Sequence, residues 1–138
     1  MNRLSPALFT FMVAAALFSA CASQLNIPQE LSPSELIQRA QEASDRNRYN
    51  LALQYYHTLL ERNSTNIDLV CTAEYEIAFI HYKQKKYAQA RAGFNALLER
   101  YNALDNGYLP PQFKLLALKV LERIDEKENP RSLFSRKN

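Results

Sequence analysis

The chain has 138 residues, with 17 Lys and Arg against 14 Asp and Glu, and a net charge of +3 spread along its length. That is one domain's worth of chain, and so weak a charge leaves no electrostatic footprint for nucleic acid. Its 2 glycines, Gly93 and Gly107, open no phosphate-cradling loop, and its 2 cysteines exclude a disulfide framework.

Residues 1–20 read as a secretory signal: a basic Arg3, a mostly apolar run from Ala7 to Phe18, then small residues. Twelve helical residues span about 18 Å against a hydrocarbon core of about 30 Å, so no permanent membrane span is expected there. "LFSAC" resembles the lipobox of bacterial lipoproteins, with Phe18 standing where Leu is usual. The resemblance implies cleavage before Cys21 and attachment of lipid to its thiol. "ACA", residues 20–22, is also an A-x-A site for ordinary signal peptidase, and a cut there leaves a soluble chain starting at Ser23. Once Cys21 is acylated Cys71 is the remaining free thiol; where Cys21 is retained without acylation a bridge between Cys21 and Cys71 becomes conceivable. Residues 21–31 then form a tether or linker. Its Leu25, Ile27 and Leu31 allow it to fold back into the inner surface of the domain, and as a spacer ten extended residues reach at most about 35 Å.

The first helix is announced by "LSPSEL". Ser32 is placed to cap it, Pro33 to open it and Glu35 to complete a capping box, with Leu31 and Leu36 as a hydrophobic staple. Further on, "YNLALQYYHTLLERN" from Tyr49 and "YAQARAGFNALLERYN" from Tyr87 repeat one pattern. Tyr49, Ala52, Tyr56, Leu59 and Leu60 correspond to Tyr87, Ala90, Phe94, Leu97 and Leu98, all at the same offset. Each of these helices follows another across a polar turn, "DRNR" or "KQKK". Small side chains such as Ala78 and Ala90 let paired backbones approach to about 8–10 Å, with Phe94 filling the space beside them.

Asn106-Gly107 supplies a bend, and tandem prolines in "LPPQF" start a last helix running to about Lys127. Phe113, Leu116, Ala117, Val120 and Ile124 form its predicted apolar stripe, with Leu115 and Leu118 lying off it. "ENPRSLFSRKN" breaks at Pro130, so residues 129–138 read as a flexible basic tail. The expected fold is all-α over residues 32–128, two helical hairpins plus a closing C-terminal helix.

"AEYEIAFIHYKQKKYAQARAGFNALLERYN" resembles the tetratricopeptide repeat (TPR). Ile77-Ala78 matches the large-small pair of the first helix, Tyr87 the aromatic after the turn, Ala90 the small contact, and Phe94, Leu97 and Leu98 the second helix. The first unit departs at Arg39-Ala40, Ala43 and His81 replace the usual tyrosine, and Asn102 replaces the usual terminal proline. The resemblance implies a right-handed α-solenoid fragment. The long period and the "LLERYN" ending are similar to repeat domains of outer-membrane barrel-assembly lipoproteins and of the periplasmic coordinator of the Tol-Pal system. Those relatives bind proteins and catalyse nothing.

The implied function is a membrane-tethered adaptor or scaffold, periplasmic and lipid-anchored at the outer membrane, with protein partners in the cell envelope. The alternative is an accessory subunit of an envelope transporter that holds a small apolar solute or lipid. In the family the first helix of each pair lines the binding groove, which places Ile37 and Gln41 in unit one, Tyr75, Phe79, Tyr82 and Lys83 in unit two, and Leu118 in the last helix. Tyr75, Phe79 and Tyr82 recur at four and three residues and share one helix face. Such a surface suits an apolar helix or extended peptide, and part of the stripe is equally readable as core.

Little else suggests chemistry. His57 and His81 lack any metal-ligand spacing, and ten helical residues hold Cys71 and His81 about 15 Å apart, too far for a nucleophile and base. The carboxylates fall beside Lys and Arg on helix surfaces. No enzyme, cofactor or metal is expected. Two and a half units leave an open end at Leu115 and Leu118, so a homo-oligomer or a permanent partner is expected to cover it.

Overall fold

A computed structural model describes residues 26–103 and 109–129. Among them the chain is all-helical: α1 Pro33–Asp45, α2 Tyr49–Arg62, α3 Ile67–Lys83, α4 Tyr87–Ala103 and α5 Pro111–Glu128. The signal segment 1–20, Cys21, the Asn106-Gly107 bend and tail residues 130–138 lie outside the described part.

Local chemistry sets the ends. The Glu35 N–H donates to Ser32 Oγ at 3.3 Å and the Ser32 N–H donates to Glu35 Oε2 at 2.9 Å, closing the expected capping box. The Ser32 hydroxyl also donates to Glu35 Oε2 at 2.7 Å, and this bond first, with the Ser32 N–H second, holds the Glu35 carboxyl below its ordinary value. Asn66 caps α3, its Oδ1 accepting from the Leu69 N–H at 3.2 Å.

The two polar turns are built alike. Asn47 and Lys85, which hold equivalent places in the repeat, both adopt left-handed backbone, with φ of 57° and 61°. At each, the N–H groups of two successive turn residues donate to carbonyls of the preceding last turn: Asn47 to Ser44 (3.0 Å) and Arg48 to Ala43 (2.8 Å), Lys85 to Tyr82 (2.9 Å) and Lys86 to His81 (2.9 Å). This paired closure satisfies carbonyls that a helix end otherwise leaves without partners.

The period is visible in burial too. Ala52 and Ala90, Tyr56 and Phe94, and Leu59 and Leu97 are pairwise inaccessible, and Ala40, Ala78 and Ala117 recur as buried small residues of α1, α3 and α5. Helix α1 packs on α2, α3 on α4, α2 on α3, and α5 against both α4 and α3. At the α3–α4 crossing a Cβ on Gly93 would stand 2.9 Å from the Cβ of Ala78, so the backbones meet where both residues are small.

Two cores result. One gathers Leu36, Ala40, Tyr56 and Leu59 of the first pair with Ala73 and Ile80; the other gathers Cys71, Tyr75 and Ala78 with Phe94, Leu97, Ala117 and Ile124. Helix α3 is a wall of both. Polar clamps join the second core's helices: Arg100 donates to both carboxylate oxygens of Glu74 (3.1 and 2.5 Å), and Arg91 Nη2 pairs with Asp125 (2.7 Å) and Glu128 (2.6 Å).

One expectation for α5 is corrected. Leu116 is 38 % exposed, and the inward stripe is Phe113, Ala117, Val120, Leu121 and Ile124. With α4 and α3 on adjoining sides of α5, the buried stripe is turned towards Leu121 and away from Leu116.

Candidate functional site

Helix α3 carries a ladder of aromatic rings. Tyr75 stacks on Phe79 with centroids 5.9 Å apart, and Phe79 stacks on Tyr82 at 5.8 Å, the planes within 14° and 18° of parallel. Tyr82 continues to Tyr87 at 6.0 Å across the turn. The spacing of four and three residues places the rings on one face, and stacking at these distances is favourable.

Burial divides the ladder. Tyr75 is 7 % exposed, its ring against Phe94 of α4 and Phe113 of α5, so this predicted groove residue belongs to the core. The cause is α5, which brings Phe113 over the start of the stripe. Phe79 and Tyr82 are half-buried, backed by the second core and still presenting ring area outward.

Lys83 closes the ladder at the end of α3. Its Nζ sits 5.3 Å from the Phe79 ring centroid and donates to Ser44 Oγ of α1 at 3.0 Å. Ser44 is itself buried, so the ammonium is held between α1 and α3 by one hydroxyl and one aromatic face. Half-buried Glu76 lies in the same region. Burial pushes its carboxyl above the ordinary value, Lys83 opposes that shift and Asp45 adds to it. Tyr56, wholly buried, has a hydroxyl without a hydrogen-bond partner, and burial is the main cause of its raised pKa, with Glu76 and Asp45 adding to it.

Of the other predicted groove residues, Ile37 is half-buried against the first core, Gln41 is exposed on α1, and Leu118 is 48 % exposed on α5. The rings and Lys83 therefore form the centre, with these three on flanking helices. Leu115, at 56 %, is exposed beside Leu118 as expected.

The linker supplies a second feature. Of its two readings, folding back and spacing, residues 26–31 take the first, but on the first hairpin, where Ile27 is buried in its core and Leu31 packs against it. Arg62 fixes this segment through backbone carbonyls: Nη2 donates to Ile27 O (3.1 Å), and Nη1 to Pro28 O (3.0 Å) and Gln29 O (3.4 Å). This latch was not foreseen. A signal for it lay in the repeat, since Arg62 and Arg100 end the two matching "LLER" runs and both act as clamps. What each would clamp was not written there.

Chemically reactive groups are dispersed. Cys71 is free and buried, its thiol pushed above the ordinary value chiefly by burial. Tyr101 donates to Pro110 O at 2.5 Å, and burial, with Cys71 beside it, pushes its pKa up to about 12. His81 is held below its ordinary value, mainly by burial. Among the described residues no cluster of three His, Cys, Asp or Glu is placed to hold a metal, and no helix is long and apolar enough to cross a membrane.

No protein-family profile matches the chain, and no solved structure matches it. It is similar to an uncharacterized protein of Treponema pallidum (strain Nichols), 36 % identical over 108 residues, which is 76 % of this chain and 43 % of that protein. The chain therefore spans less than half the length of this relative.

Proposed function

We propose that the chain is a TPR-like interaction module, anchored by lipid on Cys21 in the bacterial envelope, that holds a protein partner against the aromatic face of α3. The observation that carries this reading is the half-buried Phe79–Tyr82 stack, an apolar aromatic platform bounded by Lys83. It stands on a helix that contributes side chains to both cores, so the platform is held in place before a partner arrives and loses little side-chain freedom on binding. Aromatic anchors of this kind dominate protein interfaces. The recurrence of buried Ala, aromatic and Leu positions at one fixed offset supports the repeat-like solenoid, and the "LFSAC" resemblance supports the anchor.

Two measurements test it. The intact mass of protein from its native membranes is expected to start at Cys21 and to carry a diacylglyceryl group; a lipid-free chain starting at Ser23 removes the anchor. Phe79→Ala is expected to cut co-purification of the envelope partner by about tenfold, a truncation of one aromatic hot spot, with helicity retained. Parallel loss of helicity and binding would instead make Phe79 a core residue.

A further inference from the structure

We infer that residues 26–31 are a strap, latched by Arg62, that turns the outer face of the first hairpin towards the lipid surface and the aromatic face of α3 away from it. The orientation rests on the lipid-anchor reading of Cys21; the strap itself does not.

The argument starts from what the strap's contacts can hold. A guanidinium in a fixed planar fork donates to three successive carbonyls, which fixes the path of the backbone whatever its side chains are. Ile27, 8 % exposed, adds an apolar anchor next to that fork, and Leu31 a second one at the far end. Ordering six residues costs about 1–2 kcal/mol each in backbone entropy, so a segment with neither contact would stay free. The strap runs beside α2, with Gln54, His57, Thr58 and Glu61 lining the cleft between them.

Docking changes the leash. A free tether from Cys21 to the first helix would reach about 35 Å, more than three helix layers of about 8–10 Å, and would let any face meet the membrane. With Ile27 held, six residues remain upstream, about 20 Å when fully extended. Successive helix layers stand about 8–10 Å apart, so α5 lies two layers, about 16–20 Å, beyond the first hairpin, and meets the leaflet only on a leash stretched almost to its limit. A six-residue coil spans about 13 Å on average, which keeps the α2 side nearest the headgroups and turns Phe79, Tyr82 and exposed Leu118 towards the space beyond.

The experiment has two parts, both on the full chain purified from membranes. In the first, a nitroxide is placed at exposed Gln29→Cys and its line shape is followed. An immobilised spectrum is expected with Arg62 and Ile27 present and a mobile one in Arg62→Ala and, independently, in Ile27→Ser, with helicity kept; a mobile label with both residues present overturns the strap. In the second, the protein is reconstituted in phosphatidylethanolamine and phosphatidylglycerol vesicles containing nickel-chelating headgroups, and single nitroxides are placed at His57→Cys or Leu118→Cys, Cys71 being buried. The label at 57 is expected to be relaxed by the headgroup nickel and the label at 118 spared, with the difference lost in Arg62→Ala. Equal or reversed relaxation in the strapped protein overturns the orientation. Protein that fails to float with the vesicles overturns the anchor reading and the orientation together, while the line shape at position 29 still decides the strap.

Discussion

Tyr56 and Phe94 occupy equivalent places in the two hairpins, both wholly buried, yet one carries a hydroxyl that finds no partner. A buried unpaired hydroxyl costs about 1–3 kcal/mol, so Tyr56→Phe should raise stability by about 1 kcal/mol in urea denaturation. No gain would mean the hydroxyl is paired in solution. Glu76 offers a second single-residue test. Its carboxyl is raised above 4.5 in the fold, chiefly by burial, with Lys83 and Asp45 as the charged neighbours acting on it. A raised carboxyl leaves stability fully present below the ordinary value and takes it away as pH climbs through the folded value. Glu76→Gln should therefore raise the melting temperature at about pH 7 and leave it unchanged at about pH 4. A lower melting temperature at neutral pH would show that the Lys83 attraction outweighs the loss of hydration.

Between elements, one close meeting is Gly93 of α4 against Ala78 of α3. Gly93→Val places branched carbon where a single Cβ already falls 2.9 Å from a neighbour that cannot swing aside. The expected cost is about 1–3 kcal/mol, partly recovered by adding Ala78→Gly, as a double-mutant cycle would read. Additive effects would mean the helices separate freely there. The sequence pattern pointed to close approach at Ala78 and Ala90 and passed over Gly93, whose lack of a side chain matters only once two helices cross. Elements as such were legible because their causes are local: the Ser32–Glu35 capping box and the 3.6-residue stripes are complete within a few residues of chain. Which side of α5 is buried depends on two other helices, so Leu116 was misplaced. The same is true of Tyr75, whose outward face is covered by Phe113 from α5, a helix remote in the chain. Arg62 was hidden for a different reason, because its partners are backbone carbonyls and every sequence has those.

At the scale of the molecule, the two cores meet on α3, which gives Ala73 and Ile80 to one and Cys71, Tyr75 and Ala78 to the other. Local opening frees amides in cooperative blocks, and a helix shared by two blocks opens only when both do. Native-state hydrogen exchange should accordingly be slowest in the middle of α3 and faster in α1 and α5. If α1 matched α3, the cores would be one unit. Candidate-site residues were half legible for the same reason: spacing alone grouped Tyr75, Phe79 and Tyr82, and the third dimension decided which rings stay outside.

The shared helix also has a mechanical consequence. Under the proposed anchor, a chain tethered through the strap would be pulled at the first hairpin, whereas a partner seated on Phe79 and Tyr82 would pull at α3. Tension between membrane and partner would then cross the α2–α3 contact and the Lys83–Ser44 bond between α3 and α1, without stretching α4 or α5. Helices α4 and α5 brace α3 from the side, as a buttress does, and are themselves spared the strain.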